Sequence, residues 1–474
     1  LIMTGIRVRI APSPTGPLHI GTARTALFNY LFSRRYGGQF IMRIEDTDLE
    51  RSDAKYEEDI LEGLSWLGIA WDEGPYRQSE RIEIYRKYIE KLLAEDKAFY
   101  CFHSVRELEE EKQKLMEGKK PVLHLCEYRT MGAGGRTAPK DGKSDSIVRF
   151  KTPAGKKITW HDAIRGDLSF ESDLVGDFSI AKRVDVPLYN FAVVVDDCTM
   201  EISHVIRGED HISNTPKQLL LIEALGFPVP QYAHLPLILG SDRSKLSKRH
   251  GATSVAEYRA QGYLPEALFN FMALLGWNPG GTEEIFSKEE LAKEFSLERV
   301  QKSGAVFDIK KLDWMNGEYI RKKSPSELAF LARSHLDFAK VSDEYVEKVV
   351  ALEQPRLKKL SEIGERTDYF FRPPRYEKEL LRWKDMSDAQ IQEALERAEK
   401  IIFSFQFSAF KKGELQKIFF ETMEGEDRGW FLWPLRVALT GKKASPGPFE
   451  IMAVLRIEES LKRVRTAQEM IRYL

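Results

Sequence analysis

The pattern near the N-terminus constrains the fold most strongly, because it orders a strand, a loop, a helix and a second strand. Residues 7–11 alternate apolar and polar side chains, which predicts a short strand. Residues 12–17 form a loop rich in proline and glycine, and residues 19–36 have apolar side chains at helical spacing up to a glycine pair. Residues 39–44 predict the next strand. This βαβ unit of about forty residues predicts a parallel sheet and an α/β fold.

An insertion interrupts the α/β pattern. Residues 103–120 are rich in glutamate and lysine and predict a charged helix, and the glycines of 131–145 predict a loop. Together they indicate an inserted segment with a small fold of its own. The wholly apolar run 191–195 predicts a central strand buried on both faces, and a further strand is predicted near 202–206.

The C-terminal part is predicted to be helical. Asn214 is expected to cap a helix that has Pro216 in its first turn and ends at Gly226. After about residue 255, stretches of helical periodicity reach the C-terminus. Breaks or kinks between these helices are expected at Pro355, Pro373, Pro374 and Pro434.

Length and composition narrow the class of protein. The chain has 474 residues, which at ~150 residues per domain suggests about three domains. Its 72 Lys and Arg against 73 Asp and Glu leave a net charge of −1, which excludes a globally basic nucleic-acid binder, although residues 321–474 alone carry +4. Three cysteines exclude a disulfide scaffold and favour a reducing cytoplasm. No apolar run approaches the ~20 residues of a membrane span, so no membrane partner is expected.

Two loop segments carry residues suited to binding phosphate. In the loop Pro12–Gly21, His19 stands at a helix N-terminus, where free N–H groups and the helix dipole favour an anion. The alternative is a rigid turn with a capping histidine. In the segment Ser244–Arg249, Lys245 and Lys248 suit a mobile clamp for a polyphosphate, and the alternative is an exposed basic loop.

Taken together, these segments resemble the two signatures of the class I aminoacyl-tRNA synthetases. Residues 14–22 are similar to the first signature, with Thr22 where a second histidine is usual. Residues 245–249 are similar to the second, with Leu246 in place of methionine and Arg249 in place of the final serine. These variants resemble those of glutamyl-tRNA synthetases and their close relatives.

Further motifs extend the resemblance to the bacterial glutamyl-tRNA synthetases, from about residue 5 to the end. They are Arg43–Asp48, Tyr189–Asp197, His204–His211, Pro434–Gly441 and Ser445–Glu450. Several motifs in this order over such a length are specific to the family.

The resemblance implies a fold and a domain order. The fold is an α/β Rossmann-type catalytic domain with an inserted α+β acceptor-binding domain, followed by all-α C-terminal anticodon-binding domains. The implied boundaries are 1–98 and 191–254 for the catalytic domain, 99–190 for the insertion, 255–322 for a helical stem-contact domain, and 323–380 and 381–474 for two helical anticodon-binding domains.

The resemblance also implies ATP-dependent ligation of glutamate to tRNA. The glutamate carboxylate attacks the α-phosphate of ATP, pyrophosphate leaves, and the terminal ribose hydroxyl of tRNA then takes the glutamyl group. Mg²⁺ accompanies ATP, and bound tRNA is required before activation. Catalysis then rests on positioning and charge stabilisation rather than on a covalent enzyme intermediate.

Glutamate as a substrate needs cations for two carboxylates and an anion for its ammonium group, and arginine binds carboxylates as a bidentate fork. By resemblance, Arg207 holds the side-chain carboxylate with Arg9 close to it. Ser13 and Glu45 hold the α-amino end, and Tyr189 lines the pocket. The alternative for each residue singly is a structural ion pair or a core aromatic.

ATP binding is assigned by the same resemblance. His19 and Lys248 bind the phosphates and stabilise the developing charge, and Lys245 assists, so these three are the implied catalytic residues. Asp210 and Ile238 lie near the ribose and adenine. The full set of implied ATP contacts is Thr15, Gly16, His19, Gly21, Asp210, Ile238, Lys245, Ser247 and Lys248.

A zinc site is implied in the insertion, where some bacterial members of the family carry one. The sequence has Cys101 and His103 one residue apart, and His is a permissible zinc ligand. Cys126 supplies a third ligand. Tyr128 matches the fourth position by spacing, and His124 is the chemically more usual alternative. The other interpretation is a site that has lost its metal.

The helical part is implied to bind the anticodon. Arg356 resembles the family's arginine that can read the last anticodon base, since single-stranded bases are read at their edges and stacked on arginine or aromatics. The aromatic run 369–371 is expected in the core rather than as a stacking surface. The implied partner is the glutamate tRNA, or the glutamine tRNA as well. A monomer in the cytoplasm is expected.

Other functions fit the sequence less well than glutamate–tRNA ligation. A glutaminyl-tRNA synthetase has C-terminal β-barrels in place of helices, and a paralogue that modifies a tRNA base lacks C-terminal domains. A small-molecule adenylyltransferase does not need ~200 further helical residues. A non-enzymatic tRNA-binding regulator is expected to lose His19, Lys248, Arg9 or Arg207, and all four are present.

Overall fold

The computed structural model describes residues 5–48, 50–119, 123–130, 146–336, 341–404, 412–423 and 427–473. The chain divides into two compact units. The first comprises residues 1–259 and 265–309, and the second comprises residues 260–264 and 310–474.

The first unit combines parallel and antiparallel sheets with helices. Its strands are β1 (Arg7–Ile10), β2 (Gln39–Ile44), β3 (Glu73–Arg77), β4 (Ala98–Cys101), β5 (Ile147–Phe150), β6 (Lys157–Asp162), β7 (Gly166–Glu171), β8 (Phe178–Arg183), β9 (Val186–Pro187), β10 (His204–Gly208), β11 (Gln231–Leu235), β12 (Ile238–Leu239) and β13 (Ala305–Val306). Its helices are α1 (Ile20–Arg35), α2 (Ala54–Trp66), α3 (Ile82–Ala94), α4 (Val105–Glu117), α5 (Ser172–Val175), α6 (Tyr189–Thr199), α7 (Thr215–Leu225), α8 (Val255–Ala260), α9 (Pro265–Ala273) and α10 (Lys288–Glu294).

Parallel strands form the framework for the site. β1, β2 and β3 make one parallel sheet, and β10 and β11 pair in parallel as well. The two pieces meet where the N–H of Ser203 donates to the carbonyl oxygen of Arg7 at 2.9 Å. The carboxyl ends of β1, β2 and β10 therefore lie at one edge, which is where ligands bind in open α/β sheets.

Helix α1 follows the loop Pro12–Pro17, the first of the two segments predicted to bind phosphate. Its N-cap is His19, which has extended backbone and accepts a hydrogen bond from the N–H of Gly21. Its apolar face is buried through Ala23 and Leu27. Gly37, at a φ of +62°, lets the chain turn into β2. The strand, helix and strand predicted over residues 7–44 are confirmed.

The inserted segment is built on an antiparallel sheet of order β4-β5-β8-β9. The hairpin β6–β7 joins β11 through the pair Tyr232 and Asp162. Helix α4 begins at a capping box, because Ser104 accepts from the N–H of Glu107 and the Glu107 carboxylate accepts from the N–H of Ser104. The charged helix is thus confirmed. The loop predicted over 131–145 lies outside the described residues.

The strand predicted at 191–195 is wrong, because these residues lie in helix α6. All five are buried, and α6 packs against α3 and α7. A helix buried on every side is apolar all round, so the run carries no period that separates it from a buried strand. The following strand begins at His204 rather than at Ile202.

The second unit is helical. Its helices are α11 (Ile309–Lys322, beginning at the last residue of the first unit), α12 (Pro325–Ala332), α13 (Asp343–Glu353), α14 (Ile363–Thr367), α15 (Asp388–Ser404), α16 (Lys412–Thr422), α17 (Arg428–Thr440), α18 (Pro448–Leu455) and α19 (Ile457–Tyr473). Tyr369 and Phe370 are buried in its core, as predicted. In the part of the chain that the structure describes, no helix has both the length and the apolar character that crossing a membrane requires.

Of the break or kink predicted at Pro434, the break is wrong, because Pro434 is buried in the middle of α17. The proline removes one N–H from the helical ladder, yet the helix continues to Thr440 and ends at Gly441, whose φ is +67°. Packing against α15 and α19 outweighs the lost hydrogen bond.

Candidate active site

His19 is prepared to donate a hydrogen bond at the start of α1. Its Nδ1 accepts the N–H of Gly21 at 3.0 Å. Burial lowers the pKa of His19, and nearby Lys245 lowers it further, so the ring is neutral near pH 7. With Nδ1 acting as an acceptor, the proton of the neutral ring is on Nε2. His19 can therefore donate to an anionic oxygen without carrying a full charge.

A cavity of about 520 Å³ lies at the carboxyl ends of β1 and β10. Its volume is that of a typical small-molecule site, which spans roughly 300–1,000 Å³. Most of the predicted site residues line it: Arg9, Ser13, His19, Gly21, Glu45, Tyr189, Arg207, Asp210, Ile238 and Lys245. The side chains predicted to bind phosphate and those predicted to bind carboxylate thus share one cavity.

Arg207 is a buried cation of this cavity that makes no ion pair among the described residues. Its side chain is buried, its Nε donates to Nε2 of His234 at 3.2 Å, and its Nη2 donates to Oγ1 of Thr215 at 2.9 Å. Its Nη1 has no hydrogen-bond partner among the described residues. A buried guanidinium that meets only neutral acceptors is suited to an anionic ligand.

Arg9 belongs to a buried ionic network. Its Nε and Nη2 donate to both carboxylate oxygens of Asp197, at 3.1 and 3.3 Å. Asp197 also accepts from Nη1 of Arg43 at 2.8 Å, and Arg43 pairs with Glu45 at 3.1 Å. Burial alone would lower the pKa of Arg43, but Asp197, Asp196 and Glu45 raise it above its ordinary value. Arg9 is therefore a partly neutralised cation.

Glu45 and Tyr189 line the end of the cavity where the sequence predicts that the amino acid binds. Burial raises the pKa of Glu45, and Arg43 opposes this effect. Burial raises the pKa of Tyr189 to about 12, so its hydroxyl is neutral, and that hydroxyl lies 3.0 Å from Nδ1 of His211. Burial, and then the charge of Arg207, lower the pKa of His211 to about 4. The polar groups here are therefore neutral donors and acceptors beside one carboxylate.

Backbone hydrogen bonds hold the lysine-rich segment, residues 244–249, on both sides. The N–H of Leu246 donates to the carbonyl of Ile238 at 2.9 Å, which brings Lys245 into the cavity lining. Past the segment, the carbonyl of Thr253 accepts from the N–H of Ile20 at 2.9 Å. The loop is thus fixed on both sides next to the start of α1.

A second cavity of about 590 Å³ adjoins the first, with which it shares Ser13, Glu45 and Tyr189. Thr15 lines this second cavity rather than the first. Arg51 and Lys182 contribute cationic side chains to it. The carboxylates of Glu45, Asp48 and Glu50 line it as well, and Arg51 is paired with Asp48, so groups of both charges meet in this second cavity.

Four metal-ligating side chains meet in the insertion. The donor atoms of Cys101, His103, His124 and Cys126 all lie within 4.8 Å of one another. The Sγ atom of Cys101 lies 3.5 Å from Nδ1 of His103 and 3.6 Å from Nε2 of His124, and the Sγ atom of Cys126 lies 3.7 Å from Nδ1 of His103. Tetrahedral zinc, with its usual bond lengths, separates S and N ligands by about 3.6 Å.

Neighbouring side chains support this cluster. Nδ1 of His124 is paired with the carboxylate of Glu111 from α4, which leaves Nε2 of His124 facing the sulfur of Cys101. Such carboxylate–histidine contacts are typical of metal sites. The ring of Tyr128 packs edge-on against His103, with centroids 5.2 Å apart.

Comparison with known proteins identifies the family. The model of the class I tRNA synthetases (E and Q), catalytic domain, matches residues 5–314, and an anticodon binding domain matches residues 327–468. A glutamate–tRNA ligase of Carboxydothermus hydrogenoformans is 46% identical, over 97% of this chain and 99% of its own length. The chain belongs to the glutamate–tRNA ligase family.

Two further relatives agree with this assignment to the glutamate–tRNA ligases. Glutamate–tRNA ligase 1 of Caldicellulosiruptor saccharolyticus is 46% identical over 97% of this chain and 98% of its own. A crystal structure of a glutamate tRNA ligase from Elizabethkingia meningosepticum, in complex with its amino acid, superposes with a TM-score of 0.87 at 34% identity, covering 98% of this chain and 99% of that one. The predicted family and fold class are confirmed.

Some predicted site residues of this ligase-family chain lie away from the main cavity. Gly16, Ser247 and Lys248 are not in its lining, and Lys248 begins a short turn after Ser247. In the second unit, Arg356 lies half-exposed with Nη1 4.0 Å from the buried carboxylate of Glu353. Burial lowers the pKa of Arg436, and Arg356 lowers it further, so two guanidinium groups share one region.

Several lining residues of the ligase-family cavity were not predicted. His211 and Asn214 line it, and Asp197 pairs with Arg9, although the motifs 189–197 and 204–211 contain two of these three. His234, which contacts Arg207, carries no signal in the sequence, because it is one apolar-flanked residue in a strand.

Proposed function

We propose that this chain ligates L-glutamate to tRNA through a glutamyl-adenylate, with ATP as the second substrate. The observation that carries the proposal is the single cavity that joins His19 and Lys245 to Arg9 and Arg207. Phosphate and carboxylate ligands thus bind side by side. That arrangement is what carboxylate attack on a phosphate needs, because holding reactants in place supplies much of the rate.

Glutamate is proposed to bind by its two charged ends. Arg207, with an unpartnered Nη1 among the described residues, receives the side-chain carboxylate, and Arg9 lies close to it. Ser13 and Glu45 hold the ammonium group, and Tyr189 closes the pocket. The pKa of Glu45 stays raised by burial although Arg43 pairs with it, so a second cationic group beside this carboxylate is favoured.

ATP is proposed to lie across the first signature. The Nε2–H of neutral His19 donates to a phosphate oxygen, and Lys245 and Lys248 neutralise the polyphosphate together with Mg²⁺. Asp210 and Ile238 hold the ribose and adenine. The remaining ATP contacts are assigned to Thr15, Gly16, Gly21 and Ser247.

The reaction is proposed to proceed in two displacements. A carboxylate oxygen of glutamate bonds to the α-phosphorus, and the bond to the pyrophosphate oxygen breaks. The terminal ribose hydroxyl of tRNA then bonds to the acyl carbon, loses its proton, and releases AMP. The second cavity, which shares Ser13, Glu45 and Tyr189 with the first, is proposed to receive the incoming tRNA end, with Lys182 as the cation for it because Arg51 is paired with Asp48.

Zinc is proposed as a structural ion in the insertion, held by Cys101, His103, His124 and Cys126. The sulfur–nitrogen distances match tetrahedral zinc, which favours His124 over Tyr128 as the fourth ligand. Four protein ligands leave no open position, so the ion stabilises the fold around α4 and takes no part in the chemistry. Metal analysis of the purified protein, with Co²⁺ spectroscopy of the exchanged form, tests this ligand set.

We propose that the chain has five domains, the first of which is interrupted by the second. The catalytic domain is 1–98 with 191–254, and the insertion is 99–190. The helical domains are 255–322, 323–380 and 381–474. Arg356 is proposed to contact the anticodon, which the neighbouring Arg436 supports by adding a second guanidinium for an anionic or base ligand. The chain is proposed to act as a monomer in the cytoplasm.

The test is glutamate transfer onto purified glutamate and glutamine tRNAs, with ATP, Mg²⁺ and both amino acids in parallel. Charging of the glutamate tRNA is expected, and charging of both tRNAs with glutamate would make the anticodon reading permissive. The variant His19→Asn should lower the transfer rate about a hundredfold. The exposed His161, changed in the same way, is the matched control. No glutamate transfer to either tRNA would refute the proposal.

A further inference from the structure

A buried pair, Asp162 and His234, lies against Arg207 and has no part in the function proposed above. Both side chains are fully buried. His234 in β11 is the register partner of Arg207 in β10, and Asp162 ends β6. Oδ2 of Asp162 lies 2.5 Å from Nδ1 of His234, and Nε2 of His234 lies 3.2 Å from Nε of Arg207. Carboxylate, imidazole and guanidinium thus form one chain of contacts.

Asp162 is held as an acceptor of hydrogen bonds. Its Oδ1 accepts the backbone N–H groups of Ile164, Arg165 and His234, at 3.0, 2.9 and 3.3 Å. Burial alone would raise the pKa of Asp162, but the hydrogen bonds from His234 and the backbone of Arg165 lower it. Because the charged carboxylate can only accept hydrogen bonds, Nδ1 of His234 carries a hydrogen and donates it in a hydrogen bond to Oδ2.

His234 consequently presents a lone pair to Arg207. Burial lowers the pKa of His234, and the cation Arg207 lowers it further against the opposing effect of Asp162, so the ring is neutral. Its bare Nε2 accepts the Nε–H of Arg207, while Nη2 of Arg207 donates to Thr215. Two of the three guanidinium nitrogens are fixed, which sets the plane of the group. The third, Nη1, has no hydrogen-bond partner in the described part of the chain.

We propose that Asp162 and His234 are positioning residues that orient the Arg207 guanidinium toward the side-chain carboxylate of glutamate, by keeping Nε2 of His234 an acceptor. The inference rests on the proposed function and deepens it, because it makes the tautomer of a buried histidine a determinant of selectivity for glutamate. The opposite tautomer places an N–H of His234 against the N–H of Arg207, and the guanidinium then has to rotate. A merely structural tie between β6 and β11 would instead affect stability and every substrate alike.

The first test variant is Asp162→Asn, which keeps the size of the side chain. Its amide has only one acceptor oxygen, so either the three backbone N–H groups or Nδ1 of His234 must face an NH₂ group. When the NH₂ group faces His234, Nδ1 of His234 becomes a hydrogen-bond acceptor and the proton of the neutral ring lies on Nε2. We expect the KM for glutamate to rise about tenfold to a hundredfold, as for a lost hydrogen bond to a charged group, with the KM for ATP unchanged within twofold.

The second variant, His234→Gln, separates the tautomer from the fold. A glutamine amide can turn its oxygen toward Nε of Arg207 whatever residue 162 supplies. This variant should keep the KM for glutamate within about threefold of the parent. Adding Asp162→Asn in that background should then have little further effect, so the double-mutant cycle is strongly non-additive. Additive effects, or equal effects on the KM values for glutamate and ATP, would overturn the proposal.

The hairpin β6–β7 offers a matched control. His161 and Asp167 form the same kind of pair, with Nδ1 and Oδ1 2.7 Å apart, but both side chains are exposed. Asp167→Asn should therefore leave the ratio of glutamate to glutamine activation unchanged, whereas Asp162→Asn should lower it at least tenfold. An unchanged ratio in Asp162→Asn, with the parent enzyme active, would refute the role of the pair and leave the proposed function intact.

A readout without catalysis completes the test. In protein labelled with ¹⁵N-histidine, His234 should show the Nδ1–H tautomer, and the signal should switch to Nε2–H in Asp162→Asn. Observing Nε2–H in the parent would overturn the inference whether or not the enzyme transfers glutamate. Absence of transfer with the expected tautomer would count against the proposed function alone.

Discussion

Arg9 and Arg207, the two arginines proposed to bind glutamate, differ in the charge around them. Removing them should therefore weaken glutamate binding by unequal amounts. Arg9 donates two hydrogen bonds to Asp197, whereas Arg207 donates to the neutral side chains of His234 and Thr215 and makes no ion pair among the described residues. An incoming carboxylate therefore gains more from Arg207. Two charge-assisted hydrogen bonds at ~1.5 kcal/mol each give ~3 kcal/mol, or a factor of about 150 in affinity.

The prediction is tested by comparing two variants, Arg207→Gln and Arg9→Gln. The KM for glutamate should rise at least about 150-fold in the first and less than about tenfold in the second, with the KM for ATP unchanged in the first. Arg207→Lys keeps the charge but loses the fork, so a rise of about tenfold is expected. The assay is steady-state aminoacylation at saturating ATP and tRNA.

The control for these variants is Arg183→Gln, because the Arg183–Asp185 pair is exposed and lies on β8 and the turn that follows it. It should leave both KM values unchanged. A rise of less than threefold in Arg207→Gln, or a larger rise in Arg9→Gln, would refute the assignment of the side-chain carboxylate to Arg207. Thermal stability without ligand should not fall in Arg207→Gln, since the variant removes a buried charge that lacks a counter-ion.

Three further outcomes are expected. His103→Ala should abolish stoichiometric zinc and make the insertion sensitive to proteolysis, whereas the exposed His161→Ala should do neither; metal analysis and limited proteolysis measure both. Arg356→Gln should weaken tRNA binding, measured by filter retention, while leaving the KM for ATP unchanged. Arg9 and Arg43 lower the pKa of Asp197 against the effect of burial. Asp197 therefore contributes to the stability of the fold at pH values above about 4, the ordinary carboxyl pKa, and this contribution is lost as the pH falls through the lowered pKa of the folded state. Asp197→Asn should therefore flatten the acid limb of the profile of thermal midpoint against pH.

The N-terminal elements could be predicted from the sequence because local signals agree there. Period-two strands, a helix of period 3.6 and a glycine stop all occur within residues 7–44, and the structure follows them. The run 191–195 could not be assigned in this way. Burial on all sides removed its period, and five apolar residues fit a central strand as well as a packed helix.

The site was predictable where function imposes a motif and unpredictable where a side chain only supports another. Arg207 and His19 stand in recognisable motifs, and both line the cavity. Asp162 and His234 meet only because β6 and β11 become neighbours, and no spacing in the sequence announces a contact between strands 72 positions apart. Supporting residues of this kind can be identified only from the tertiary structure.

The two backbone bonds that flank the lysine-rich loop make its length as important as its residues. Between Leu246, bonded to Ile238, and Thr253, bonded to Ile20, only residues 247–252 are free of these two anchors. Lys248 is therefore on a short tether whose attachment points are part of the rigid sheet and of α1. Side chains in this loop can therefore be varied to alter nucleotide use. One inserted residue, however, would change where Lys248 lies relative to His19, because both attachment points of the loop stay in place.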